Sequence, residues 1–223
     1  MAARIPLVII GAGGFGRETF GLVRDLNAEG EAYELLGFLD DQLRDTSLLD
    51  RLGTLHLGPT EAIRDLGAGV RFVVGIGNGG VRRRIGEQVS DWGFEPATLV
   101  HPTALIGPDV ELGPGCVVAA GAQITTNVRV GRFVHVDRGT QVGHDCVIGD
   151  YVTLNPMVTV SGAVTLEAEV NAGTTSTILP GVRVAERVVI GAAAAVVHDV
   201  DEPGAVVVGV PARKLRATPG PIG

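Results

Sequence analysis

From Ile106 to Val196 every sixth residue is aliphatic, and no other regularity constrains the fold as tightly. The series runs through Leu112, Val118, Val136, Leu154 and Ile178, and of its sixteen positions only Ala172 is not Ile, Leu or Val. Neither a helical period of 3.6 nor simple alternation gives a period of six. A hexapeptide period predicts a parallel β-helix: one short strand per unit and three units per coil of a triangular prism. Sixteen units give a little over five coils, or roughly 25 Å of prism at ~4.8 Å per coil. Two residues before the aliphatic stands a small or β-branched residue, as at Val110, Cys116, Ala122, Val134, Cys146 and Val152, which should point inward with it. The glycines that follow the aliphatic, such as Gly107, Gly113, Gly131, Gly143, Gly149 and Gly191, are expected to relieve the corners. Cys116 and Cys146 are then core thiols rather than nucleophiles, and two cysteines are too few for a disulfide framework or a zinc cluster.

Composition divides the chain in the same place. Of nine aromatic residues among 223, seven precede residue 98 and only Phe133 and Tyr151 follow it. The second half must therefore have a narrow core of small aliphatic side chains. The expected division is 1–98, an α/β unit, 99–215, the prism, and 216–223, a tail. Eighteen basic against twenty-five acidic residues give a net charge of −7, which argues against a general nucleic-acid binder. No apolar run approaches the ~18 residues of a membrane span. MAARIPLVII enters a strand-like run with no signal-peptide pattern, so a cytoplasmic protein is expected.

In the first half, Leu7–Ile10 and then Gly11-Ala12-Gly13-Gly14-Phe15-Gly16 read as a strand, a G-x-G-x-x-G turn and a helix start. Backbone N–H groups at such a turn suit a pyrophosphate, although a tight turn without a ligand has the same pattern. Strand-like runs at Leu35–Leu39 and Phe72–Ile76 end in Asp40-Asp41 and Gly77-Asn78. Val81–Val89 reads as a helix, and Phe94–Val100 as a last strand leading into the prism. The ligand edge of a Rossmann-like unit lies at these strand ends. The acidic pair lies further along than an NAD fingerprint requires, so a nucleotide attached to a sugar fits better than a redox dinucleotide. Arg82-Arg83-Arg84 reads as a solvated helix face, with a phosphate patch as the alternative.

A prism of short strands has little concavity, so clefts are expected between neighbouring prisms. His144 stands in Gly143-His144-Asp145-Cys146, just after an inward valine and a corner glycine, and should point outward. Histidine exchanges a proton near neutral pH, and the adjacent Asp145 is placed to orient its ring. His135, Thr153 and Asn171 fall eighteen residues apart and form a different row, read as a solvated face. His101, His198 and His56 have no such setting.

The glycine turn with Arg17-Glu18, Phe38-Leu39-Asp40-Asp41, Gly75-Ile76-Gly77-Asn78, Gly143–Asp150 and Gly209-Val210-Pro211-Ala212-Arg213 together resemble the sialic-acid O-acetyltransferase/sugar acyltransferase family, across nearly the whole chain. Bacterial N-acetyltransferases of nucleotide-linked 4-amino-sugars are the members it is most similar to. The resemblance implies a left-handed β-helix, a homotrimer, acetyl-CoA as donor, no metal, and a setting in cell-surface polysaccharide or glycan synthesis. It implies His144 as general base with Asp145 beside it. Nucleotide-sugar contacts are implied at Gly13, Gly14, Asp40, Asp41, Gly77 and Asn78, with Asp137 near the acceptor. Coenzyme contacts are implied at Thr153, Gly162, Thr174, Ala192 and Arg213, with Lys214 as an alternative to Arg213 at the phosphates. Some members carry Asn where this chain has Asp137, and histidines where it has Thr153 and Phe15, which leaves the acceptor sugar open. The expected reaction is N-acetylation of a nucleotide-linked amino sugar by direct transfer, with O-acetylation of a sugar hydroxyl as the alternative. Three readings of other classes remain: a non-catalytic trimeric scaffold, an NAD enzyme, and a metal-dependent β-helix enzyme with histidines converging between subunits.

Overall fold

The computed structural model describes residues 4–30 and 33–215. The expected tail, 216–223, lies outside the described residues. Four parallel strands, β1 (Ile5–Ile10), β2 (Tyr33–Leu39), β3 (Arg71–Val74) and β4 (Glu95–Pro96), pair in the order β2-β1-β3-β4. Helices α1 (Gly14–Ala28), α2 (Ser47–Leu52) and α3 (Gly79–Asp91) and a 3-10 turn (Thr60–Asp65) complete this unit. β1 and β3 are buried on both faces, so they read as continuous apolar runs. The expected strand Phe94–Val100 is in fact two. Glu95–Pro96 closes the parallel sheet, and Leu99–Val100 opens the prism by pairing with Val117–Val118. Pro96 has no N–H to give to a further neighbour, which suits the edge of the sheet.

The prism has three parallel faces, of eight, six and five strands, the eight-stranded one closed by the antiparallel strand Arg213–Lys214. Registers advance by eighteen residues, Val117 to His135 to Thr153 to Asn171 to Val189, one coil per step. In the last coil Ile190 pairs with Val207, a step of seventeen, so the strict period ends where the prism is capped. The aliphatic and the small residue two before it both point inward; Cys116, Cys146, Val152, Leu154 and Val160 are all buried. Only at the open first coil is the series exposed, at Ile106.

The corner glycines have a different role from the one expected. Positive φ falls three residues after each aliphatic, at every sixth position from Asp109 to Ala193, and eleven of these fifteen residues are not glycine. The glycines directly after the aliphatic serve close approach instead. A Cβ at Gly113 would lie 2.6 Å from the backbone of Gly131, and one at Gly143 2.8 Å from that of Gly162. A side chain there would push successive coils apart.

The row expected to be solvated is the one that the α/β unit covers. His135 is wholly buried, its Nε2–H donates to the carbonyl of Val74 at 3.1 Å, and Phe15 stacks on its ring at 4.3 Å. The two late aromatics belong to the same joint. Phe133 and Tyr151 stack on each other at 5.6 Å beside Phe72, and Gly86 of α3 rests against the Phe133 ring. α3 also corrects the arginine run. Arg82 is buried in the joint, Arg83 pairs with Glu87 and Glu169, and Arg84 is exposed. Three successive helix residues point in three directions, so they form no common face.

Candidate active site

His144 and Asp145 occupy the corner between strands Gln141–Val142 and Val147–Ile148. Asp145 takes the left-handed turn position, φ 59°, beside the preceding ring. Its Oδ2 lies 2.7 Å from His144 Nδ1, and Asn127, at the equivalent turn of the preceding coil, donates to its Oδ1 at 3.1 Å. The hydrogen bond from His144, and then that from Asn127, hold the Asp145 carboxyl below its ordinary range. An ionised carboxylate can only accept, so His144 Nδ1–H donates, and in the neutral ring the lone pair is on Nε2. The imidazole is 64% exposed and lies over Gly162, where a Cβ would stand 2.6 Å from Cε1 and Nε2. The corner presents an oriented, outward-facing proton acceptor.

The strand ends of the α/β unit form a second candidate region. Gly11 sits at φ 100° and donates to the Leu39 carbonyl. Gly16 lets the helix press against the turn, since a Cβ there would lie 1.8 Å from the Gly11 carbonyl oxygen. Gly13 caps α1 without a side-chain hydrogen bond, and around Gly13 and Gly14 the space is open. Unsatisfied amides at a helix start favour an anion. Asp40 braces this turn: Oδ2 accepts from Ala12 N–H and Oδ1 from Gln42 N–H, both at 2.8 Å. Asp41 Oδ1 accepts from Thr60 N–H at 2.6 Å. A cavity of about 310 Å3 lies here, lined by Gly11, Asp40, Asp41, Thr60, Ile76 and Arg84 among others. Arg84 has no carboxylate partner among the described residues.

Gly77 and Asn78 turn away from that cavity. Asn78 caps α3 by accepting from Val81 N–H at 3.0 Å, and the Gly77 carbonyl accepts from Arg82 and Thr153 in the joint. Asp137 is buried, accepts from Arg138 N–H at 2.6 Å, and lines a separate cavity of about 180 Å3 between α1 and the prism with Phe15, Glu18 and Arg138. No group of His, Cys, Asp and Glu suited to a metal ion occurs among the described residues.

Residues 6–89 match the family model described as the PglD N-terminal domain, and residues 127–162 match the bacterial transferase hexapeptide model. No curated protein matches the chain significantly. Among solved structures, the acetyltransferase domain of PglB from Neisseria gonorrhoeae, in complex with acetyl coenzyme A, is 30% identical, with a TM-score of 0.86 over 96% of this chain and 100% of that one. PerB from Caulobacter crescentus, in complex with CoA and GDP-perosamine, is 28% identical, with a TM-score of 0.83 over 95% and 97%. WeeI from Acinetobacter baumannii is 28% identical, with a TM-score of 0.81 over 94% and 99%.

The chain belongs to the PglD-like sugar N-acetyltransferase family. It is an acyltransferase of the hexapeptide class. In this PglD-like chain the residues expected around the coenzyme divide among four places. Gly162 lies beneath His144, in the same corner column. Thr174 and Ala192 stack at a different corner, both exposed, across the face that carries Gln141, Thr159 and Thr177. Thr153 is buried in the joint, accepting from Arg82 and donating to the Gly77 carbonyl, so its hydroxyl is committed inside the chain. Arg213 lines a cavity at the capped end of the prism, where Lys214 is already paired with Glu202 at 2.6 Å. Sequence reasoning missed Asn127 and Thr60; eighteen-residue arithmetic from Asp145 leads to Asn127, and nothing in the sequence marks Thr60. Arg82 and Arg84 were noticed only as part of one arginine run, read as a solvated face with a phosphate patch as the alternative.

Proposed function

We propose that this protein transfers the acetyl group of acetyl-CoA to the amine of a nucleotide-linked amino sugar, with His144 as general base. The observation that carries this reading is the free Nε2 of an outward imidazole whose Nδ1–H is held by an ionised Asp145. The neutral amine attacks the thioester carbonyl carbon, and the N–H proton passes to His144 Nε2 as the C–N bond forms. The C–S bond then breaks, and the sulfur takes that proton from the imidazolium. Asp145 stabilises the charged ring between the two transfers. The products are an amide and coenzyme A, and no covalent enzyme intermediate is needed.

The similar structures with acetyl coenzyme A, and with CoA and GDP-perosamine, support donor and acceptor class alike. The acceptor's nucleotide fits the cavity of Asp41 and Arg84, with its pyrophosphate toward the open Gly13-Gly14 amides. The thin pantetheine arm would run along the face between the corner of Gly162 and that of Thr174 and Ala192, where the side chains are small. His144 lies at the corner opposite the face that its own α/β unit covers. Donor, base and acceptor therefore meet between neighbouring prisms of a homotrimer. Polysaccharide or glycan precursor synthesis in the cytoplasm is the setting in which such an acceptor arises.

The test is coenzyme A release with acetyl-CoA against UDP-, GDP- and dTDP-linked 4-amino-sugars, CMP-sialic acid and free sialic acid, with product mass determined. An N-acetylated nucleotide sugar is expected. Release only with a hydroxyl acceptor would replace N-transfer by O-transfer, and the absence of both acetyl-CoA binding and release would favour a scaffold.

A further inference from the structure

Among the described residues Arg82 is the largest fully buried side chain, with no exposed surface, and no carboxylate among them bonds its guanidinium. Its donors spread over three segments instead. Nη1 reaches the carbonyls of Ile76 at 2.7 Å and Gly77 at 3.0 Å, and Nε reaches that of Phe133 at 2.8 Å. Nη2 reaches the carbonyls of Tyr151 at 2.7 Å and Val152 at 3.2 Å, and Thr153 Oγ1 at 2.9 Å. Thr153 Oγ1 in turn donates to the Gly77 carbonyl at 2.9 Å. One planar fork thus binds the β3–α3 loop to the corners of two successive coils.

Burying a cation with no directly bonded counter-ion is unfavourable against an apolar contact of the same volume. Cohesion alone does not call for it, since Phe72, Phe133 and Tyr151 already pack across the joint. What the fork adds is register. The aromatic contact already selects the coil, since Gly115 and Glu169 stand in the places of Phe133 and Tyr151 one coil away, but apolar packing tolerates small slides and rotations at that height. Six directional bonds from a rigid guanidinium single out one placement, and the three donors on the single nitrogen of a lysine cannot span all three segments.

We propose that Arg82 is a positioning residue: it registers the nucleotide-binding edge along the prism and thereby sets where the acceptor amine stands relative to the base. This rests on the acetyl-transfer reading above. Arg82 touches neither substrate nor reacting atoms; it acts through the Gly77 loop.

The test compares wild type with Arg82→Lys and Thr153→Val. It uses steady-state kinetics on the accepted nucleotide amino sugar, the Kd of the corresponding nucleoside diphosphate, and thermal unfolding. In Arg82→Lys, kcat falls by about tenfold or more, because a misplacement near 1 Å is costly in a transfer reaction. Nucleotide Kd and the KM for acetyl-CoA stay unchanged, since those contacts lie within one unit or the other. Thr153→Val, which removes only the bridging hydroxyl, moves the same parameter in the same direction by less. A lower melting temperature with wild-type kcat in the folded range overturns the proposal, as does a loss of nucleotide affinity that matches the loss of kcat. If Arg82→Lys does not fold, wild-type kcat in Thr153→Val overturns it. Failure of the underlying reading is a separate result, in which wild type itself acetylates no nucleotide amino sugar. The joint is then read by hydrogen exchange of the Gly77 and Asn78 amides, which the variants accelerate if the fork holds that loop.

Discussion

At the scale of the residue, the proposed chemistry depends on one nitrogen and on what holds it in place. Asp145 selects the tautomer, Asn127 holds Asp145, and Gly162 is the floor under the ring. Asp145→Asn keeps the shape but loses the charge that stabilises the imidazolium, and kcat falls by about 10- to 100-fold with little change in KM, measured by coenzyme A release. Gly162→Ala puts a Cβ into the space of the imidazole and tilts it, so kcat drops by about tenfold while the melting temperature stays near wild type. The outward pairing of His144 with Asp145 was legible in the sequence because the six-residue period says which way each side chain points. The brace at Asp40 was not, because an acidic pair after a strand looks the same whether it meets a ligand or a neighbouring N–H.

At the scale of the element, the prism was almost wholly legible and the joint was not. Periodicity marks what points inward, but nothing in it says which outward face another unit covers. His135 and Thr153 therefore read as solvated, although Phe133 and Tyr151, the only aromatics after residue 98, stand on the covered side. Burial of His135 has a pH consequence. Desolvation first, and then the nearby Arg82, push its ring well below the ordinary 6.5. The unfolded chain binds a proton there that the folded chain refuses, so stability falls as pH drops through 6.5 and continues to fall down to the folded value. The slope from this one group is at most ~1.4 kcal/mol per pH unit. Urea unfolding of wild type between pH 7.5 and 5 is expected to show this loss, and His135→Gln to flatten it relative to wild type.

At the scale of the whole molecule, the α/β unit sits on one face of the prism and His144 at the opposite corner, so in the proposed reaction the nucleotide cavity and the base would come from different chains. Chains carrying His144→Ala and chains carrying Asp41→Lys are each expected to be inactive alone and to regain activity when co-assembled. Inactive hybrids, with both chains folded and associated, would place the whole site within one chain. The central claim is tested most directly by single-turnover coenzyme A release from wild type and His144→Ala, both saturated with acetyl-CoA and the accepted nucleotide-linked amino sugar. Wild type is expected to release one coenzyme A per amide formed, and the variant, still folded and binding both substrates, to be slower by about 10²- to 10⁴-fold. A variant that turns over at the wild-type rate would contradict the assignment of the base.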